Sequence, residues 1–572
     1  MKLLLKDYLA SLRERDELDA VVPDLLSEMG FHVYSRPSIG TRQYGVDMAA
    51  VGSDDDGVEK VFLFSIKAGN LTRTDWNSTL QSLRPSLDEI KDHYIATRIP
   101  AKYKALPVVI CVCFGGDMDE NVRPLWEGYV GSNKTAGLEY QEWNGDKLAQ
   151  LLLSGVLREE ILPTNARSLF RKSLAMLDEP DAAFAYFARL TEILLSNVSG
   201  KKAVTAARQL NICLWVLNVW ARDTENSEAP YRASAHALLH VWTLAAPMLG
   251  KKSAQAKAMR EAADHLIRLF LRTSHTFAIE KVLPHCGERH ALSVAVRSME
   301  SVDVNLKMFD VRGRLELPGL WLLNLAQLRK ADAAAEVAPI SEGIVSLVGS
   351  NPILLTPLRD EQAIDINLAC ILLCATGYSS FVRTWIGQIV AASSFAIQSS
   401  GKYPCVIHEY ADLLVHPNKE SEEYFKEATA ASVLYPTLAI WAGILGDQAL
   451  SAAMSTVARE QLPHCSMQLW FPSKESEPNL YTNDAPHGAA LTGLNLQGPP
   501  SKLMDIIFKE IADSPDFQNL SAVRFGFWAI VLTACRHFRY PLPPQFWLSF
   551  LPQAETAATV EGDKLRGKPA AA

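Results

Sequence analysis

The fold of this chain is decided by two apolar runs, Tyr44-Gly-Val-Asp-Met-Ala-Ala-Val-Gly52 and Lys60-Val-Phe-Leu-Phe-Ser-Ile-Lys67. Both contain β-branched or aromatic residues typical of strands. Residues 53–57 between them read Ser-Asp-Asp-Asp-Gly, and Asp-Gly between two such runs is a strong hairpin signal. If the chain reverses near Gly57, residues whose numbers sum to about 112–114 lie opposite each other.

This register sets Asp47 opposite Ser65 or Lys67, so the three side chains project from one face of the hairpin. A carboxylate that can bind a metal and a lysine that can bind water or phosphate form the core of a phosphodiester-cleaving site. The competing interpretation is an ordinary cross-strand ion pair, which contributes about 0.2–1 kcal/mol. The order of the surrounding elements favours the first interpretation.

That order is helix, three strands, helix, two strands, helix. We infer this order of elements from the spacing of apolar residues, because continuous apolar runs form buried strands and capped amphipathic runs form helices. After a first helix that ends near Gly30, elements are predicted at residues 31–34, 44–52, 60–69, 82–94, 106–114, 138–143 and 144–153.

Together, the hairpin motif and the element order resemble the PD-(D/E)XK nuclease superfamily, the restriction-endonuclease-like fold, and most closely its Mrr-like branch. The matching motifs are Gly40-Thr-Arg-Gln-Tyr-Gly-Val-Asp47 and Phe64-Ser-Ile-Lys67, and the resemblance covers about residues 10–163. It implies an α/β domain with a mixed sheet flanked by helices. It also implies that Asp47 binds Mg²⁺ and that Lys67 orients or deprotonates the attacking water.

The same resemblance implies further metal ligands. The residue two before the lysine is normally Glu, Asp or Gln, whereas this chain has Ser65, a weak neutral ligand. The metal, Mg²⁺ or Mn²⁺, would then depend on Asp47, on the backbone carbonyl of Ile66 and on water. Such enzymes often add an acidic residue from the first helix, and Asp19 matches that position best, followed by Glu17.

Groups suited to phosphate contacts flank the predicted site on both sides. Amides, hydroxyls and guanidinium groups are the usual partners of phosphate oxygens. The candidates for nucleic-acid contact are Arg42, Gln43, Asn70, Thr72 and Arg73. Each can equally be a solvated loop residue.

The chain as a whole is acidic, with 56 Lys and Arg against 64 Asp and Glu and a net charge of −8. This balance argues against a protein that coats nucleic acid, because such proteins carry an overall basic footprint. It is compatible with a nuclease that concentrates positive charge in one cleft, and it suggests an enzyme that is regulated or depends on a partner.

Length and composition indicate a globular chain of two to four domains, since 572 residues with 48% hydrophobic content exceed a single core. The nine cysteines are scattered and the first residues lack the apolar run of a signal peptide, so a cytoplasmic location is expected. Residues 428–446 carry no charge, but their polar residues and Pro436 favour a buried helix pair, broken at that proline, over a membrane span.

From about residue 165 onward, helical spacing replaces strand-like runs. A helical-repeat array is one interpretation, although we find no repeat motif of fixed period. Helices are predicted at residues 182–195, 206–220, 231–249, 254–272, 339–348, 362–375, 428–460 and 522–535. The predicted domains are therefore the nuclease-like domain at 1–163, a large all-α sensor or scaffold region of one or two subdomains at 164–553, and a flexible tail at 554–572.

The helical region contains no comparable chemistry. Cys286, His290, His464 and Cys465 lack the paired spacing of a zinc site. Residues 250–253, Gly-Lys-Lys-Ser, lack the upstream glycine and strand of a nucleotide-binding loop. Zinc and nucleotide cofactors are therefore not expected.

The prediction is a Mg²⁺-dependent nuclease that acts on nucleic acid, with DNA favoured over RNA, and whose helical region binds a protein partner. A nuclease joined to a large helical module resembles effectors of bacterial restriction and antiviral defence. The alternative is a non-catalytic scaffold with a degenerate nuclease fold, which Ser65 favours. The oligomeric state, the trigger and the sequence that is cut are open.

Overall fold

A computed structural model of the chain describes residues 6, 9–10, 12, 14, 18–35, 44–53, 57–79, 82–154, 164–223, 226–417 and 421–550. The backbone divides into two compact units: Met1–Ala237 with Lys251–Leu266, and Leu238–Gly250 with Ile267–Ala572. The first unit contains a sheet and helices, and the second is largely helical. The first unit also contains helices beyond residue 163. The domain limits at residues 163 and 553 therefore remain predictions.

The first unit is built on one five-stranded mixed sheet. Its strands, in spatial and chain order, are β1 (His32–Ser35), β2 (Met48–Ser53), β3 (Glu59–Lys67), β4 (Val108–Phe114) and β5 (Leu138–Trp143). Strands β1, β2 and β3 pair antiparallel, whereas β3, β4 and β5 pair parallel. The prediction of a mixed sheet flanked by helices, followed by a helical region, is confirmed.

The register of the β2–β3 hairpin lies within the predicted range. Met48 pairs with Phe64 and Ser53 pairs with Glu59, so paired residue numbers sum to 112. Extending this register by one residue sets Asp47 across from Ser65.

A helix that the sequence analysis missed connects β4 to β5. Parallel neighbours need a crossover connection, usually helical, because a tight turn can join only antiparallel strands. Here the crossover is α4 (Arg123–Asn133), with Pro124 at its start. The element order therefore has a helix between the last two strands, where the sequence analysis placed them in succession.

The helices of the first unit surround the sheet and continue beyond it. Helix α3 continues through a π-helical turn, Ile90–Tyr94, and a last turn, Ile95–Thr97. Helices α9 and α10 extend past the residues where the two units divide. The helices are α1 (Asp19–Glu28), α2 (Arg73–Asn77), α3 (Leu83–Glu89), α4, α5 (Gly145–Ser154), α6 (Thr164–Ala175), α7 (Pro180–Leu195), α8 (Gly200–Asp223), α9 (Glu228–Ala245) and α10 (Ala254–Ser274).

One face of the sheet forms a hydrophobic core with α3 and α4. Val61, Leu63 and Val112 on the strands cluster with Leu87 and Trp126 on the helices, and all five are buried. Burying an aliphatic or aromatic side chain of this size contributes about 1.5–3 kcal/mol, so this face anchors the strands that carry the predicted site.

The second unit is mostly helical. Its helices are α11 (Ala291–Ala295), α12 (Ser301–Arg329), α13 (Ala334–Ser350), α14 (Ala363–Ala375), α15 (Ser379–Gln398), α16 (Tyr410–Val415), α17 (Glu422–Ala428), α18 (Leu434–Ile444), α19 (Gln448–Thr456), α20 (Ser476–Asn479), α21 (Pro500–Asp513), α22 (Asp516–Asn519), α23 (Ser521–Arg524) and α24 (Trp528–Phe538). Two short strand pairs join β6 (Ala431–Ser432) to β7 (Ser466–Met467) and β8 (Leu469–Phe471) to β9 (Ala489–Leu491). The remaining turns of this unit are π-helical at His275–Val282 and Val457–Gln461, and 3-10 at Ala246–Met248, Leu283–His285, Pro352–Leu355, Asp360–Gln362 and Pro544–Phe550. The first unit has a further 3-10 turn at Ala101–Tyr103.

The uncharged stretch at residues 428–446 contains a buried helix, as the sequence predicts. The predicted break at Pro436 is wrong, because this proline lies in the first turn of α18. Proline is tolerated there, since the first backbone N–H groups of a helix have no partner within it. Among the helices in the described ranges, none is both long enough and apolar enough to cross a bilayer.

Candidate active site

The turn before β2 is held in place by close packing on α3. Gly45 has a φ of 76°, and a Cβ added there would lie 2.2 Å from the carbonyl oxygen of Ser86. Only glycine fits both the left-handed backbone and this close approach. The packing therefore fixes the point at which the chain enters β2, two residues before Asp47.

Asp47 is half-buried and is held by the backbone of β3. Its N–H donates to the carbonyl oxygen of Phe64 at 2.9 Å. Its carboxylate oxygen Oδ2 accepts the N–H of Ile66 at 2.7 Å. A hydrogen bond to a charged acceptor is stronger than a neutral one, so it orients the carboxylate against β3. The proposed role of the Ile66 carbonyl as a metal ligand remains a prediction.

Lys67 is the last residue of β3, and its amine lies 3.5 Å from Oε2 of Glu14. The lysine side chain is mostly buried, with 17% of its surface exposed. The structure thus brings an acidic residue from the N-terminal segment to the predicted lysine. Sequence reasoning missed Glu14, because it counted back from Gly30 along a single helix.

The sequence analysis gave Asp19 and Glu17 as the acidic residues that could add a metal ligand. Asp19 lies in the first turn of α1, and its role as a ligand remains a prediction. Glu17 lies outside the described residues.

Contacts at the carboxyl ends of β3 and β4 position the segment that carries Glu14. A Cβ on Gly115 would lie 1.8 Å from the carbonyl oxygen of Leu9, so only a glycine permits this approach. The Lys6 amine lies 3.0 Å from Asp117 Oδ2 and 3.2 Å from Asp146 Oδ2. Hydrogen bonds to these two carboxylates raise the pKa of Lys6 above its usual value. The partners in these contacts, Gly115, Asp117 and Asp146, lie about 100 residues or more from Glu14 in sequence, so no local motif could have identified it.

Ser65 is buried near the carboxyl end of β3, with 1% of its surface exposed. Its hydroxyl oxygen has no hydrogen-bond partner in the described part of the chain. A buried polar atom without a partner costs stability, so it calls for an explanation such as a bound water or ion. Ser65 lies on the face predicted for Asp47 and Lys67. Its hydroxyl is therefore the third oxygen group of the site, after the carboxylates of Asp47 and Glu14.

The nearby thiol of Cys113 is not a competing ligand. Burial, with a further contribution from the negative charge of Asp47, raises the pKa of Cys113 well above its ordinary value. Burial therefore disfavours the thiolate, the form of cysteine that binds metals. The site offers hard oxygen donors.

These donors fit Mg²⁺ better than a transition metal. Across the described ranges, no cluster of three or more His, Cys, Asp or Glu side chains is arranged to hold a metal ion. Mg²⁺ does not require such a cluster, because it keeps several waters and binds through one or two carboxylates. Asp47 and Glu14 supply two carboxylates, and the unpartnered oxygen of Ser65 supplies a neutral donor.

The residues predicted to contact nucleic acid differ in their surroundings in the structure. Asn70 uses its side-chain oxygen to accept the N–H of Asp117 at 2.9 Å, which ties the loop after β3 to the loop after β4. Thr72 caps α2 by donating its N–H and its hydroxyl to Asp75, at 2.9 and 2.6 Å. Both residues therefore have structural partners, while Arg73 is exposed. Arg42 and Gln43 lie outside the described residues.

Comparison with known proteins gives no relative for this chain: no protein-family model, no curated protein and no solved structure matches it.

Proposed function

We propose that the chain is a Mg²⁺-dependent nuclease that hydrolyses phosphodiester bonds, with DNA favoured over RNA and Mn²⁺ as an alternative metal. One observation carries the proposal: the carboxylate of Asp47 accepts the N–H of Ile66, which lies between Ser65 and Lys67 on β3, and Glu14 lies 3.5 Å from the Lys67 amine. In a mixed sheet flanked by helices, this set matches the PD-(D/E)XK resemblance in Asp47, Lys67 and an acidic residue from the N-terminal segment, and departs from it at Ser65. The nuclease fold itself is part of the proposal.

In this proposal, Asp47 and Glu14 would hold the metal, Ser65 would add a neutral oxygen, and Lys67 would bind the attacking water or a phosphate oxygen. The bound metal lowers the pKa of its water and neutralises charge that develops on the phosphate. The hydrogen bond from the N–H of Ile66 keeps the carboxylate of Asp47 in place against β3. The contact with Glu14 orients the Lys67 amine at the end of β3.

The wider role follows by analogy. The chain has a net charge of −8 and carries a large helical unit, which supports a regulated enzyme rather than a constitutive nucleic-acid-coating protein. We propose a bacterial restriction or antiviral effector whose helical region binds a protein partner. Architecture alone does not fix function, so this part depends on the cleavage result.

The test is a cleavage assay with plasmid, linear duplex DNA, single-stranded DNA and RNA, each with Mg²⁺ or Mn²⁺. Asp47→Asn and Lys67→Met remove the two charges with little change in side-chain volume. The matched controls are Asp92→Asn on the exposed side of the π-helical turn and Lys60→Met on the same strand as Lys67. We expect the two site variants to lose about 100-fold or more in rate and the controls to remain within about threefold of the parent. Cleavage that survives both site substitutions would show that these residues are not the site.

A non-catalytic scaffold is the competing function, and the absence of an acidic residue at Ser65 favours it. It predicts no cleavage of any substrate with either metal, including in the presence of candidate protein partners. That result would refute the nuclease proposal as a whole.

A further inference from the structure

Positive charge is unevenly distributed along this acidic chain. Residues 164–272 contain 15 Lys and Arg against 9 Asp and Glu, a net charge of +6, whereas the whole chain carries −8. Two long stretches in this range, residues 193–222 and 229–260, contain no acidic residue at all. A basic segment in an acidic protein marks a surface that meets a polyanion.

The beginnings of α8 and α10 gather four of these lysines within the first unit. Lys201 and Lys202 open α8, while Lys251 and Lys252 directly precede α10, and all four side chains are exposed. We call these four residues the lysine patch.

One close approach relates the two halves of the lysine patch, and one hydrogen bond fixes its second half. A Cβ on Gly200, at the start of α8, would lie 3.9 Å from the side-chain nitrogen of Gln255 on α10. Arg260 donates to the carbonyl oxygen of Lys251 at 2.7 Å and so fixes the loop before α10. The four lysines are therefore neighbours in space although about 50 residues separate them in sequence.

The helix ends add to the charge of the lysines. Helices α8 and α10 have 24 and 21 residues, and the first backbone N–H groups of such helices have no partner within the helix. Aligned peptide dipoles place about half a positive charge at each of these N-termini. Two helix N-termini and four lysines at one place form a surface suited to several phosphate groups in a row.

We propose that the lysine patch binds the phosphate backbone of a nucleic acid and so holds the substrate of the first unit. The choice of nucleic acid over other polyanions rests on the proposed nuclease function. The patch also lacks the apolar side chains by which basic surfaces enter a lipid headgroup layer. Among the described side chains of residues 177–293, no large hydrophobic one is exposed.

The length of α10 between the lysine patch and its contact with α1 is compatible with this role. Helix α10 is joined to α1, which leads into β1, by a contact of 2.9 Å between His265 Nδ1 and Asp24 Oδ2. His265 lies 11 residues after Ala254, which corresponds to about 16 Å along the helix. A duplex rises about 3.4 Å per base pair, so about five base pairs span this length.

The experiment measures binding without cleavage. In EDTA, the full chain is titrated into a labelled 30-base-pair duplex of DNA and into an RNA duplex of the same sequence, at several salt concentrations. The test variant replaces Lys201, Lys202, Lys251 and Lys252 with Gln, which removes four charges from exposed positions. The matched control replaces Lys330, Lys474, Lys502 and Lys509, four exposed lysines of the second unit, with Gln.

We expect the patch variant to bind at least one of the duplexes at least about 100-fold more weakly near 150 mM salt and its salt slope to fall by about 3 to 4, because each lysine–phosphate contact contributes about one. The control variant should bind within about twofold of the parent. Unchanged binding of both duplexes, or an equal loss in the control, would overturn the proposal.

A second arm uses phosphatidylserine vesicles. If the patch variant loses vesicle binding while both duplexes bind as before, the patch serves a lipid surface and the proposal is wrong. Because all binding is measured without metal, a chain that binds duplexes through the patch but cleaves nothing would refute only the nuclease function.

Discussion

Replacing Ser65 with alanine should make the sheet more stable, although most core substitutions destabilise a protein. Ser65 is 1% exposed and its hydroxyl has no hydrogen-bond partner among the described residues. Folding therefore removes this hydroxyl from water without a replacement, at a cost of about 1–3 kcal/mol. Alanine avoids that cost and leaves a gap of a single oxygen atom. We expect a net gain of about 1 kcal/mol in the free energy of unfolding of the sheet.

The measurement is amide hydrogen exchange of β3 in EDTA, where local opening reports the stability of the sheet. A gain of 1 kcal/mol should slow exchange by about fivefold. Ser173→Ala is the matched control, because Ser173 is equally buried but donates to the carbonyl oxygen of Ala183 at 2.9 Å. That substitution should speed exchange in its own helix, since it removes a satisfied hydrogen bond worth about 1 kcal/mol.

Faster exchange in β3 of Ser65→Ala would refute this reasoning, since it would mean that the hydroxyl has a stabilising partner in the metal-free protein. With Mg²⁺, the same variant should cleave more slowly if Ser65 is a ligand. Higher stability together with lower activity is the pattern of a residue retained for function.

Three further outcomes follow from other parts of the fold. Gly115→Ala should lower the rate of cleavage about tenfold or more without changing the circular dichroism spectrum, because a Cβ there displaces the segment that carries Glu14. An unchanged rate of cleavage would contradict the role of that segment. Burial lowers the pKa of His240 to about 4. Between about pH 6.5 and pH 4 the unfolded chain therefore binds more protons than the folded chain. Up to about 3 kcal/mol of stability should be lost on acidification through this range. Urea unfolding of His240→Gln should lose that pH dependence, and an equally steep dependence would refute the assignment. Trp321 donates its indole N–H to Thr533 Oγ1 at 2.9 Å in the core of the second unit, so Thr533→Val should cost about 1–3 kcal/mol in urea unfolding, and a neutral result would contradict it.

The hairpin could be predicted because local signals determine it. Asp-Gly at the turn and two apolar runs set the register, which places Asp47 across from Ser65. The position of Glu14 beside Lys67 could not be predicted in this way. It depends on contacts between the N-terminal segment and Gly115, about 100 residues further along the chain, and sequence spacing carries no information about such contacts.

The longest helix was also missed, for a different physical reason. Helix α12 has 29 residues and is buried on most sides over its middle turns, so it lacks the single apolar stripe by which surface helices are recognised. Its interior contains charged residues that pair with each other only in the folded chain: Arg312 Nε lies 2.8 Å from Glu316 Oε1, and both side chains are fully buried. Charges and Pro318 in the sequence argue against a buried helix, whereas in the fold the charges pair along it.

The Mg²⁺ dependence of cleavage by the parent chain and by Asp47→Asn tests the central claim most directly. The account predicts no cleavage in EDTA, a rate that rises with Mg²⁺ in the parent, and a rate about 100-fold lower in Asp47→Asn that requires more Mg²⁺. Asp92→Asn should follow the parent curve. Cleavage that persists in EDTA, or an Asp47→Asn curve that coincides with the parent curve, would contradict a metal-dependent site at Asp47.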